Sequence, residues 1–192
     1  MIRFIIFYGW FSSFGISQVD IFNSFLRFLH QDGGVQMDIR YHQEQFGESY
    51  KVAGVFYFLE DDYYIYDSHD QRIVVNGDSI TTINKQAKQI IYDLSIPGDV
   101  TIFDILTGDM TGIELEPAIL EKSGYKIMFT VPDWELSGVL RLKPGLGHPT
   151  AVELNAGEGQ EIRIRILSAE PLSERGVPDF DMTQFDVIDL RE

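Results

Sequence analysis

Residues 35–93 form an almost unbroken series of strand-like segments, and this pattern constrains the fold more than any other feature of the chain. Short runs rich in Val, Ile, Tyr, Phe and Thr alternate with Gly, Asn and Asp turns, as in strands connected by hairpins. The segments are VQMDIRYHQ, YKVAGVFYFLE, DYYIYD, RIVVNG, DSITTIN and KQIIYD. They predict a large antiparallel sheet whose concave, aromatic-lined face either forms the core or holds an apolar ligand.

Few helices accompany these strands. An amphipathic helix is predicted over residues 19–29, because its apolar residues recur along one side. A short helix is predicted over residues 101–106, capped by Asp99 or Thr101, and one more helical turn over residues 117–122. Further strands follow: YKIMFTV, LSGVLRLK, TAVELNA and EIRIRILS. The fold class predicted is therefore mainly β (α+β), with too few helices to cover more than one side of a curved sheet.

The first seventeen residues differ from the rest of the chain. Arg3 precedes an uncharged apolar run, FIIFYGWFSSFGI, and small residues follow at Gly15 and Ser17. This pattern predicts a signal peptide over residues 1–17 and a mature domain over residues 18–192. A buried helix or a membrane anchor is the alternative, although the run is shorter than the roughly 20 residues that span a bilayer. Without a cysteine to carry acyl groups, the mature protein is expected to be soluble in the periplasm and not lipid-anchored. It is also expected to be a monomer.

Composition and motifs exclude several kinds of site. With 30 acidic and 15 basic residues, the chain is a poor candidate for binding nucleic acid or anionic lipid surfaces. The absence of cysteine excludes disulfides, thiolate metal sites and a cysteine nucleophile. The four histidines have no helical metal-pair spacing, and no nucleophile elbow or phosphate-binding loop occurs. The possible metal ligands of residues 60–62 and 67–70 fall at expected turns. No catalytic residue, metal or cofactor is predicted, and the chain is not expected to be an enzyme.

Four aromatic residues are the strongest candidates for a binding surface. Phe56 and Phe58 share one face of a predicted strand, and Tyr64 and Tyr66 share one face of the next. Aromatic stripes of this kind are also typical of a core packed under helices. The residue pattern alone leaves both interpretations open.

The elements follow one another in a recognisable order: a helix, a strand ending in YHQEQ, a strand led by Gly54, the aromatic strand YYIYD, a strand running into Asn76-Gly77, and a short helix rich in Ile and Leu. This order resembles the outer-membrane lipoprotein carrier family, LolA. The resemblance extends over most of residues 19–190, and the C-terminal segment resembles a divergent branch of the family. Where typical carriers have an Arg-Pro pair whose Arg holds the lid closed, this chain has Glu60-Asp61.

The resemblance implies an incomplete antiparallel β-barrel with helices that lid its concave apolar side. It implies a periplasmic carrier of acylated lipoproteins or lipids, which would receive cargo from an inner-membrane exporter and deliver it to an outer-membrane acceptor. A lipid-sensing or protein-binding module of the same fold, without transport, is the alternative, and a secreted enzyme is a third. The residues implied to contact acyl chains are Phe56, Phe58, Tyr64, Tyr66, Ile73, Val75, Phe103 and Leu106.

Overall fold

The computed structural model describes residues 18–60, 62–96, 101–109, 111–157 and 159–191. The predicted signal peptide, the possible cap Asp99 and residue Asp61 of the Glu60-Asp61 pair lie outside the described residues. Two α-helices are present among the described residues: α1 spans Gln18–Leu29 and α2 spans Ile102–Thr107. Neither is long and apolar enough to cross a membrane.

Thirteen strands form one sheet, in the order β13-β6-β5-β4-β3-β2-β1-β12-β11-β10-β9-β7, with β8 paired to β9. Neighbouring strands are antiparallel except β13, which runs parallel to β6. The sheet order has two different ends, so the predicted incomplete barrel is confirmed. The strands are β1 Val35–Gln45, β2 Glu48–Glu60, β3 Tyr63–Ser68, β4 Gln71–Asn76, β5 Ser79–Asn84, β6 Gln89–Leu94, β7 Glu114–Leu115, β8 Ile119–Glu121, β9 Gly124–Val131, β10 Leu136–Leu142, β11 Pro149–Asn155, β12 Gln160–Pro171 and β13 Asp186–Asp189.

The strand and turn predictions for the first half of the sheet are confirmed. Residues 67–70 form the end of β3 and a turn into β4, and Asn76-Gly77 begins the turn into β5. The helix predicted at residues 101–106 is confirmed. It spans Ile102–Thr107, one residue later than predicted, with Thr101 as its N-cap. The helical turn predicted over residues 117–122 is wrong, because β8 forms an antiparallel hairpin with β9 there. Its backbone groups are paired across strands, which overrides the weak local helix pattern.

Both helices lie on the concave side of the sheet and form the core with it. Phe25 and Leu29 of α1 and Ile105 of α2 are fully buried in the same apolar cluster as the sheet. Gly147, in the turn between β10 and β11, has φ of +66°, and a Cβ there would lie 2.1 Å from the Ser24 carbonyl oxygen of α1. That position therefore requires glycine, because the helix backbone lies directly against the turn.

The C-terminal segment contacts the outer face of the sheet at β4 and at the turn between β5 and β6. The guanidinium of Arg72 donates a 2.9 Å hydrogen bond to the Pro178 carbonyl oxygen, and the Phe180 ring lies 5.3 Å from the ammonium of Lys85. Outer-face residues of these strands are buried apart from the main core: Tyr57, Ile65, Ile83 and Ile90. The parallel strand β13 continues this segment at the edge of the sheet. Strands β2 and β3 thus bury apolar side chains on both faces, whereas β5 and β6 bury them on the outer face.

Candidate functional site

The strand registers place the sequence-predicted binding residues in two neighbouring rows across the concave face. One row runs from β1 to β6, with residues paired directly across each strand boundary: Val35, Phe58, Tyr64, Val75, Ile80 and Asp93. The adjacent row is Met37, Phe56, Tyr66, Ile73, Thr82 and Ile91. Six of the eight predicted residues lie in these rows. The structure brings all eight into one apolar cluster, because Phe103 and Leu106 of α2 pack against them.

The part of this surface formed by β1–β3 is tightly packed. Phe56 and Phe58 are 0% and 1% exposed, and Tyr66 is 1% exposed. The Tyr66 ring lies over Gly54, where a Cβ would be 2.7 Å from a ring carbon. This close approach explains why β2 has a glycine at its midpoint. Burial raises the pKa of the Tyr66 phenol to about 12. In this arrangement these residues form core.

Helix α2 contributes one aromatic ring to this surface. The Phe103 ring stacks on Phe56 with centroids 5.5 Å apart and planes 4° from parallel, and it also lies 6.0 Å from Tyr64 and 5.2 Å from Tyr66. Stacked aromatic pairs at such distances contribute about 0.5–1.5 kcal/mol beyond the area they bury. Phe103 remains partly buried, so α2 covers the aromatic surface with a single partly exposed ring.

Toward β4–β6 the same face opens into a cleft of about 610 Å³. Tyr64 and Val75 from the predicted set line it, and Ile80 of β5 lies directly opposite Val75. A volume of this size falls within the range of pockets that hold small ligands, about 300–1,000 Å³. Its apolar lining consists of Tyr64, Val75, Ile80, Leu94, Ile96, Ile113, Val131 and Trp134.

The mouth of the cleft carries carboxylates. Asp104 lies in the first turn of α2, where its carboxylate accepts a hydrogen bond from the Thr101 backbone N–H. Burial, with a smaller contribution from the charge of Asp109, raises the pKa of Asp104 above its usual 3.8. Burial and then the charge of Asp104 likewise raise the pKa of Tyr64. Five other aspartates border the cleft: Asp62, Asp78, Asp93, Asp109 and Asp133.

A second cleft, of about 570 Å³, adjoins the first at Asp62 and Gly77. Phe58 lines it beside His30 and Gln31, and the Phe58 and His30 rings are 5.5 Å apart in an edge-on arrangement. Its lining also includes the polar residues Glu60, Asp62 and Asn76. Within the described ranges, no group of three or more His, Asp or Glu side chains is placed to hold a metal.

Sequence reasoning missed part of the cleft. Ile80 was within reach, because a two-residue turn at Gly77-Asp78 places it opposite Val75 on the same face. Ile113 comes from the segment after α2, Val131 from the end of β9, and Trp134 from the short 3₁₀ helix Pro132–Trp134. No local pattern in the sequence shows that these distant segments reach the edge of the first hairpins.

Comparison with known proteins gives a likeness of fold. No protein-family model matches the chain, and no curated protein matches it significantly. An uncharacterized conserved protein from Thermus thermophilus has a similar structure, with a TM-score of 0.58 over 89% of this chain and 98% of that one, at 9% identity.

Other solved structures that match include a LolA superfamily protein from Nitrosomonas europaea, with a TM-score of 0.45, 10% identity, and coverage of 89% of this chain and 98% of that one. A putative outer membrane lipoprotein-sorting protein domain from Vibrio parahaemolyticus matches with a TM-score of 0.45, 9% identity, and coverage of 87% and 96%. Identities this low concern the fold alone. The incomplete β-barrel that the LolA resemblance implies is the fold that this chain has.

Proposed function

We propose that this protein is a non-enzymatic periplasmic carrier that binds the acyl chains of lipoproteins or lipids between the curved sheet and α2. The observation that carries the proposal is the open cleft beside α2, whose floor continues the packed aromatic surface. Tyr64 belongs to both and Val75 lies directly opposite it, so a chain entering the cleft at Ile80 meets apolar side chains up to the edge of Phe103. The resemblance to the LolA family supports the same interpretation.

The energetics of an acyl chain suit such a cleft. Each methylene removed from water contributes about 0.8 kcal/mol. Ten buried methylenes would therefore contribute roughly 8 kcal/mol, before the cost of ordering the chain. Binding of this strength is reversible, as a carrier requires. Displacement of the Phe103 ring would expose Phe56 and Tyr66 as further apolar surface, which extends the space available to a longer chain.

A matched pair of neighbouring substitutions tests the proposal. Val75 and Val74 are adjacent on β4 and partly buried, but they lie on opposite faces of the sheet, and only Val75 lines the cleft. We expect Val75→Gln to weaken binding of a fluorescent monoacylglycerol about tenfold, because it places an amide against the acyl chain. Val74→Gln should change the affinity by less than about twofold. Equal effects, or a wild-type protein that binds no acyl probe, would contradict the proposal.

The same protein allows the cargo to be sought directly. Purified from its native envelope without detergent, it should release acylated molecules into an organic extract that mass spectrometry can identify. If the protein is instead a module that binds only a protein partner, it should copurify with that partner and yield an extract without stoichiometric lipid. Transport itself is tested by transfer of a labelled lipoprotein from donor to acceptor membranes.

A further inference from the structure

The cleft beside α2 has a one-sided distribution of charge. Six aspartates line it together with the apolar floor, and no Lys or Arg is found among its described lining residues. The lining comes from four sequence segments that contain no Lys or Arg. They are residues 52–71, 73–84, 89–121 and 127–140. Basic residues are present elsewhere in the chain, so their absence here is local.

Five of the six aspartates that line the cleft are exposed to solvent and define its mouth, and only Asp104 is partly buried. They belong to different elements: Asp93 lies near the end of β6, Asp104 lies on α2 and Asp133 lies in the 3₁₀ helix. In the part of the chain that the structure describes, these groups do not form a cluster able to chelate a metal. Their effect on a ligand is therefore the sum of several electrostatic attractions at moderate distance.

The size of the cleft makes that sum significant. Charges attract or repel one another over about one Debye length, roughly 8 Å at physiological ionic strength. A charge held in this cleft of about 610 Å³ would therefore interact with the nearer of the six carboxylates that line it. The raised pKa values of Asp104 and Tyr64, to which burial contributes most, show that neighbouring carboxylates also make negative charge unfavourable there.

We propose that this cleft selects cationic amphiphiles: an acyl or alkyl chain that bears a protonated amine within a few ångströms of its first methylenes. This inference rests on the proposed function and names the class of its cargo. The hydrocarbon lies on the floor at Val75 and Ile80, while the ammonium faces the aspartates at the mouth. A carboxylate or phosphate head in the same place is repelled, so anionic lipids of equal chain length bind more weakly.

Two probes of equal chain length test this selectivity. Dodecylammonium and dodecanoate, below their micellar concentrations at pH 8, compete with the neutral fluorescent monoacylglycerol. In roughly 20 mM NaCl we expect the ammonium to displace the probe at a concentration about tenfold lower than the carboxylate. In roughly 300 mM NaCl the ratio should fall to about threefold, since screening weakens attraction and repulsion alike.

Two charge-matched triple variants locate the effect. Asp78→Asn, Asp93→Asn and Asp133→Asn together should reduce the preference for the ammonium at least about threefold at low salt. Asn keeps an acceptor oxygen for the Leu94 backbone N–H that Asp93 now binds, so the local turn is retained. The control combines Glu44→Gln, Glu48→Gln and Glu174→Gln, three exposed residues that do not line the cleft. It removes the same charge and should leave the preference unchanged.

The outcomes separate this inference from the function on which it rests. Failure of the wild type to bind the neutral probe overturns the acyl-binding function and the inference together. Normal binding of the neutral probe with equal affinity for both charged competitors overturns the inference alone. Equal losses in the two triple variants also overturn it, because net charge would then suffice. If the cleft variant fails to fold, the salt dependence of the wild-type preference for the ammonium tests the inference. A preference that does not fall at the higher salt concentration would overturn it.

Discussion

The β1–β3 and β4–β6 parts of the concave face are built from the same register rows but differ in how they are filled. Phe56, Phe58 and Tyr66 in the first part are buried, whereas Val75 and Ile80 in the second are only partly covered. Helices α1 and α2 fill the concavity over β1–β3 and leave the cleft open beside β5 and β6. A single continuous apolar surface thus provides both a stable core and an open ligand cleft. The positions of the two helices determine where the core ends and the cleft begins.

The largest expected difference concerns the packed part. Phe58→Ala should lower the free energy of unfolding by about 3–5 kcal/mol, as buried Phe→Ala substitutions do, because it leaves a cavity in the core. Denaturant unfolding measures this, with Phe46→Ala as the control, since Phe46 is 81% exposed. A loss below about 1 kcal/mol would show that Phe58 also faces loosely filled space, and the distinction between the two parts would disappear.

Phe103 lies at the boundary, so its removal should affect both properties. Phe103→Ala loses ring contacts with Phe56, Tyr64 and Tyr66, and we expect a loss of roughly 1–3 kcal/mol in unfolding free energy. The same change uncovers the aromatic surface and should tighten binding of the acyl probe severalfold. Calorimetry of unfolding and of acyl-probe binding would test whether stability falls while affinity rises. Weaker binding would mean that the Phe103 ring itself holds the ligand.

Substitution of Ile80, in the open part, should weaken ligand binding while having little effect on stability. Ile80→Ala removes methyl and methylene groups that are only partly buried in the free protein, so the loss in unfolding free energy should stay below about 1 kcal/mol. Binding of the acyl probe should weaken about fivefold, since each lost methylene contact contributes on the order of 0.8 kcal/mol. A loss of stability as large as that of Phe58→Ala would assign Ile80 to the core.

The sequence was sufficient for the parts of the structure that depend on local pattern. Alternation placed Phe56, Phe58, Tyr64 and Tyr66 on one face, and Thr101 proved to be the helix cap, because strand parity and capping are decided within a few residues. The degree of burial was not predictable in this way. It depends on where α2 ends relative to the sheet, which is set by tertiary packing.

Burial on the outer face of the sheet was likewise not predictable from local sequence pattern. Ile65, Ile83 and Ile90 are buried there, and Arg72 is buried where it donates a hydrogen bond to the Pro178 carbonyl oxygen of the C-terminal segment. Contacts between residues about 100 positions apart leave no periodic signal in either segment. The hairpin at β8–β9 was missed for a related reason, since its strand is short and irregular in sequence.

The smallest expected effect concerns pH at the boundary between the two parts. Burial holds the pKa of Asp104 above the usual 3.8 in the folded protein, so ionisation is easier in the unfolded chain. The favourable contribution of the protonated carboxyl is therefore complete below pH 3.8 and is lost as the pH rises through the folded-state pKa. Asp104→Asn keeps an acceptor for the Thr101 N–H but cannot ionise. Thermal unfolding from about pH 3.5 to 7 should show wild type losing stability relative to this variant as the pH rises. The opposite trend would mean that the hydrogen bond to Thr101 outweighs burial, and Asp104 would then be a well-solvated part of the open cleft.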